Sequence, residues 1–101
     1  MRPVIEDPVM QDLITRFSCF PGIGKVILFG SRATGEARQF SDIDLAVVGV
    51  QDDDEWARVR QIADEARTLL KIDLLRFETV DDAIRASILG EGKVIYERTA
   101  H

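Results

Sequence analysis

The sequence predicts a small α/β fold, a mixed sheet flanked by helices, built as one domain over residues 1–101. Three observations predict it. Short runs rich in β-branched and aromatic residues alternate with longer runs whose apolar residues recur every three or four positions. Glycine and proline punctuate the joints, at Pro21-Gly22-Ile23-Gly24 and again at Gly90-Glu91-Gly92. A chain of 101 residues holds one core and leaves no material for a second. The expected order is α-β-α-β-α-β-α-β.

Asp7 and Pro8 read as the cap and first residue of a helix whose apolar stripe is Met10, Leu13, Ile14 and Phe17. Lys25-Val26-Ile27-Leu28-Phe29 reads as a buried strand closed by Gly30-Ser31. A short helix capped by Ser31 fits residues 31–37, and residues 42–48 read as the second strand. Trp56, Val59, Ile62, Ala63, Ala66, Leu69 and Leu70 mark a long helix introduced by the acidic run Asp52-Asp53-Asp54-Glu55. Residues 71–77 form the third strand. Thr79-Val80-Asp81-Asp82 resembles a capping box for a last helix carrying Val80, Ala83, Ile84, Ser87 and Ile88 on one face and stopping at Gly90 or Gly92. Residues 93–97 make a final strand.

Composition narrows the function classes. A net charge of -5 argues against unaided binding of nucleic acid, whose phosphates are held by clustered Lys and Arg, and suits cations or basic partners. With Cys19 as the single cysteine there is no internal disulfide and no thiolate metal cluster, which fits a reducing, cytoplasmic home. No apolar stretch reaches the ~20 residues of a membrane helix, and the N-terminal stretch has no signal-peptide pattern.

Chemistry concentrates in Leu28-Phe29-Gly30-Ser31-Arg32-Ala33 and, after a short gap, Asp42-Ile43-Asp44-Leu45. Residues two apart on a strand share a face, so Asp42 and Asp44 project together while Ile43 and Leu45 enter the apolar layer. Their mutual repulsion is relieved by a dication, and Mg²⁺ takes one or two carboxylates with phosphate and water oxygens. Gly30 permits close backbone approach to a phosphate, Ser31 offers a hydroxyl and backbone N–H groups, and Arg32 adds a charge-assisted contact. Asp73, between Ile72 and Leu74, is the one acid inside the third strand and supplies a further carboxylate towards the same face. The acidic run 52–55 reads instead as a solvated first helical turn, and Phe17, Phe20, Phe29, Trp56 and Phe77 as core. Tyr96 reads as packing with a wet hydroxyl.

Gly30-Ser31-Arg32-Ala33, Ser41-Asp42-Ile43-Asp44-Leu45 and the later strand aspartate together resemble the DNA polymerase β-type nucleotidyltransferase superfamily. More narrowly they resemble the minimal nucleotidyltransferases that partner HEPN proteins. The likeness runs over nearly the whole chain, including the ending Gly90-Glu91-Gly92-Lys93-Val94-Ile95-Tyr96-Glu97. It implies a polymerase β-like fold and two Mg²⁺ ions held by Asp42 and Asp44. Asp73 is then implied to help hold the catalytic ion and to assist deprotonation of the acceptor hydroxyl, while Gly30 and Ser31 hold the phosphates of ATP. The resemblance further implies an antitoxin that adenylylates a tyrosine of its HEPN ribonuclease toxin, working as a hetero-oligomer or homodimer. Two alternatives stand beside it: a non-catalytic antitoxin that covers the toxin, and a small-molecule transferase of the aminoglycoside type. Larger nucleotidyltransferases carry extra domains for base and acceptor, so here the acceptor is expected to complete the site.

Overall fold

In the computed structural model residues 8–30, 43–65 and 72–98 are described. The elements are helix α1 (Pro8–Phe17), strand β1 (Lys25–Phe29), strand β2 (Ile43–Val48), helix α2 (Asp53–Asp64), strand β3 (Ile72–Arg76), a 3₁₀ turn (Phe77–Thr79), helix α3 (Asp82–Glu91) and strand β4 (Lys93–Glu97). The expected helix at 31–37, the Asp7 cap and the continuation of the long helix to Leu70 lie outside the described residues.

The sheet has the order β3-β2-β1-β4. β1 runs antiparallel to both β2 and β4, whereas β2 and β3 are parallel, so the sheet is mixed. A register irregularity between Val26 and Ile27 leaves Ile95 of β4 without an opposite residue. Parallel neighbours need a crossover, and α2 lies between β2 and β3 in the chain.

Alternation divides the sheet into two faces. Val26 and Leu28 of β1 and Ile43, Leu45 and Val47 of β2 are buried with Leu13 and Phe17 of α1 and Val59 of α2, while Trp56, Ile62, Ile72 and Leu74 pack around them. This is the main core, formed by the stripes that the three-and-four spacing of α1 and α2 creates. The opposite face carries a smaller cluster in which Ile88 of α3 covers Ile27 and Ala46, with Phe29, Val48, Phe77 and Val80 at its border.

Polar contacts fix the joints at the C-terminal ends of β2 and β3. Asp52 caps α2, its Oδ1 accepting from the Asp54 N–H at 2.9 Å, so the acidic run is the exposed first turn of that helix. Arg76 binds the β2–α2 connection twice, donating to the Val50 carbonyl at 2.9 Å and to Asp53 at 2.7 Å. Glu78 accepts the Gly49 N–H at 2.8 Å.

Two sequence expectations differ from the structure. β3 ends at Arg76 because Phe77 opens the 3₁₀ turn rather than closing the strand. The cap of α3 is Asp81, which accepts from the Ile84 N–H at 2.9 Å, whereas Thr79 belongs to the turn and donates to the Arg76 carbonyl. Asp is as good a cap as Thr, and the 3₁₀ turn takes Thr79 out of the competition. The helix stops at Gly92 as expected, and of the face that carries Ile84 and Ile88, Ile88 is buried and Ile84 is 39% exposed.

Gly49 turns the chain out of β2 with φ at +112°, and a Cβ there would run into the Gly22 carbonyl oxygen and lie 3.0 Å from the Gly24 nitrogen. Gly49→Ala is therefore expected to destabilise the fold by about 2 kcal/mol or more, through positive-φ strain and this collision. Urea unfolding would read it as a lower midpoint at an unchanged slope. A midpoint equal to that of the unsubstituted protein would contradict the placement of this turn.

Candidate active site

The polar site grows from the strand alternation that builds the core. With Ile43, Leu45 and Val47 committed to the main core, Asp44 must project from the other face together with Ala46. Ile72 and Leu74 do the same on β3 and send Asp73 the same way. The parallel register pairs Asp44 with Asp73, and neighbouring strands lie ~4.8 Å apart, so the two carboxylates stand side by side. On the other side of Asp44 the antiparallel register places Phe29. Phe29, Asp44 and Asp73 thus form one row across three strands, at the C-terminal end of β1 and the N-terminal ends of β2 and β3.

The next row along the same face is Ile27, Ala46 and Leu75, and Ile88 of α3 packs on Ile27 and Ala46. The carboxylates therefore begin one row beyond the helix-covered patch. Both are half-buried, as is Phe29, whose ring belongs to the apolar border. Just past Phe29, Gly30 has φ of +76°, and a Cβ built there would lie 2.5 Å from Asp44 Oδ2.

Of the residues singled out in the sequence, the fold brings together Gly30, Asp44 and Asp73. Ser31, Arg32 and Asp42 lie outside the described residues. Among the described residues no group of three His, Cys, Asp or Glu side chains forms a metal cluster, the acidic run 52–55 included. Tyr96 packs against the main core. The closeness of Gly30 to Asp44 has no local sequence signal, because it arises from the pairing of β1 with β2.

The sequence profile of the family described as "Polymerase beta, Nucleotidyltransferase" matches residues 11–101. The chain belongs to this nucleotidyltransferase family. It is 33% identical over 92 residues to the "Probable protein adenylyltransferase MntA" of Haemophilus influenzae, an alignment covering 89% of this chain and 75% of that protein. Among solved structures, a toxin-antitoxin crystal structure with AMP-PNP is similar at a TM-score of 0.66 and 20% identity, covering 92% of this chain and 74% of that one. The structure of a tri-AMPylated Shewanella oneidensis HEPN toxin in complex with MNT antitoxin is similar at a TM-score of 0.57 and 18% identity, covering 87% of this chain and 72% of that one. At these identities the two structures speak for the fold, a polymerase β-like nucleotidyltransferase domain. No helix among the described residues is long and apolar enough to cross a membrane.

Membership of the family implies a nucleotide substrate and a divalent metal, and the donor set of this nucleotidyltransferase fits that chemistry. Two hard oxygen donors stand side by side one row beyond the patch that Ile88 covers, and such a pair of carboxylates suits Mg²⁺. Asp44 and Asp73 are the described residues that would hold such an ion.

Mg²⁺ or Mn²⁺ is accordingly expected to raise the melting temperature of the chelator-treated protein, by about 2.7 kcal/mol of stabilisation at a hundredfold excess over the dissociation constant. Asp73→Asn should lose most of that gain, because it removes one of the two carboxylates that would hold the ion. A metal-induced shift equal in the variant and the native chain would contradict the assignment.

Proposed function

We propose that this chain transfers AMP from Mg-ATP to a tyrosine hydroxyl of a cognate HEPN toxin and so acts as that toxin's antitoxin. The observation that carries the reading is the in-register pair Asp44 and Asp73, half-buried at one end of the sheet of a nucleotidyltransferase domain. The span 1–101 is taken as one such domain. The acceptor class rests on the relative named as a probable protein adenylyltransferase and on the similar fold of the antitoxin bound to the tri-AMPylated toxin. An acidic chain of net charge -5 also suits a basic, RNA-cutting partner.

In this reading Asp42 and Asp44 hold both ions, and Asp73 shares the catalytic one. Gly30, Ser31 and Arg32 bind the phosphates. The Asp73 carboxylate takes the proton of the acceptor hydroxyl as its oxygen bonds to the α-phosphorus, and the bond to the departing pyrophosphate breaks on the opposite side. When bound, the ions offset the negative charge that develops on the attacking and leaving oxygens. Asp73 stands on β3, the outer strand on its side of the sheet, so the acceptor approaches over an edge. That geometry accommodates a hydroxyl carried on another protein.

Incubation of the cognate HEPN protein with this chain, ATP and Mg²⁺ is expected to add one or more AMP units, read by intact-mass spectrometry, and to silence its ribonuclease activity. Asp44→Ala should add none. If the native chain leaves the toxin's mass unchanged yet still binds and protects, the non-catalytic antitoxin is the correct reading. Modification of an aminoglycoside without any protein partner would point to the small-molecule transferase.

A further inference from the structure

We propose that Gly30 is a positioning residue for Asp44: the missing side chain at residue 30 is the space in which the Asp44 carboxylate lies. The inference rests on the reading of Asp44 as a metal-holding group and gives Gly30 a task beyond contact with phosphate. Asp44 faces Phe29 across the β1–β2 pair, and Gly30 follows directly. A Cβ on Gly30 would lie 2.5 Å from Oδ2, 3.4 Å from Cγ and 3.5 Å from Cβ of Asp44. The first distance is shorter than real side-chain carbons tolerate, and the three nearest atoms all belong to this one side chain.

To admit that Cβ the carboxylate itself must shift. Asp44 is half-buried in a row whose other neighbours are Phe29 on β1 and the in-register Asp73 on β3. A methyl at position 30 would push the carboxylate towards Asp73, against a like charge, or turn it to another rotamer. Either displacement spoils the placement of a metal-holding oxygen, where an error of ~1 Å costs on the order of 10²-fold in rate. The left-handed φ of +76° is a second, separable demand on the residue, since it penalises any L side chain whatever Asp44 does.

A double-mutant cycle separates the two demands. Melting temperatures of the chelator-treated native chain, Gly30→Ala, Asp44→Ala and the double variant are compared, and Mn²⁺ titrations of the native chain, Gly30→Ala and Asp44→Ala are read by electron paramagnetic resonance. Expected is a melting temperature lowered by Gly30→Ala in the native background, with a loss smaller by ~4 °C or more when Asp44 is Ala. Expected too is Mn²⁺ affinity at least tenfold weaker in Gly30→Ala. If Gly30→Ala alone fails to fold, the inference requires the double variant to fold. Equal losses in both backgrounds would overturn it, as would native Mn²⁺ affinity in Gly30→Ala. Failure of the underlying reading looks different: Asp44→Ala would bind Mn²⁺ as the native chain does.

Discussion

The parallel, in-register pairing of β2 with β3 sets both the polar row and the face that enters the main core. It sets two carboxylates side by side, at a cost of roughly 0.2–1 kcal/mol for like charges opposed on a sheet. The same register buries Ile43, Leu45 and Val47 on the reverse face, each worth about 1.5–3 kcal/mol when removed from water. The apolar gain exceeds the repulsion several times over. A slip of one residue would exchange the faces and drive Asp44 into the core, so the pattern that stabilises the sheet also fixes the carboxylates.

The two faces divide the work. α1 and α2 close the main core against one of them, while on the other α3 is anchored chiefly through Ile88 and stops a row short of the carboxylates. Polar contacts stand in where apolar cover is thin. Arg85 donates to the Val80 carbonyl and to Asp82 and lies 5.4 Å from the Phe77 ring, tying the 3₁₀ turn to the start of α3. Arg98 donates to the carbonyls of Ser18, Phe20 and Ile23, fastening the end of β4 to the α1–β1 connection at the opposite end of the sheet from the carboxylates. The acidic run is part of this scaffolding too, through the Asp52 cap and the Asp53 pair with Arg76.

What was legible in the sequence is what depends on near neighbours. The limits of β1 and β4, the direction of Asp73 between Ile72 and Leu74, and the role of the acidic run all follow from period and capping, and the structure has them so. The 3₁₀ turn at Phe77 and the Asp81 cap were missed because several local patterns compete there and tertiary contacts choose among them. A helix stripe says which residues are apolar, not how far the sheet beneath it extends, so the difference in depth between Ile84 and Ile88 has no sequence signal. The approach of Gly30 to Asp44 was out of reach for another reason: it needs the register of two strands separated by a long connection. Ser31, Arg32 and Asp42 remain assignments of the sequence and its family.

We propose the row containing Asp44 and Asp73 as the metal site of this nucleotidyltransferase. The most direct test is anomalous diffraction at the manganese edge from crystals grown with Mn²⁺ and a non-hydrolysable ATP analogue. Manganese peaks are expected within about 2.0–2.3 Å of the Asp44 and Asp73 carboxylate oxygens, with the analogue's phosphates beside Gly30. Manganese found only at the acidic turn 52–55, or nucleotide bound away from Gly30 with no metal between the two carboxylates, would contradict it.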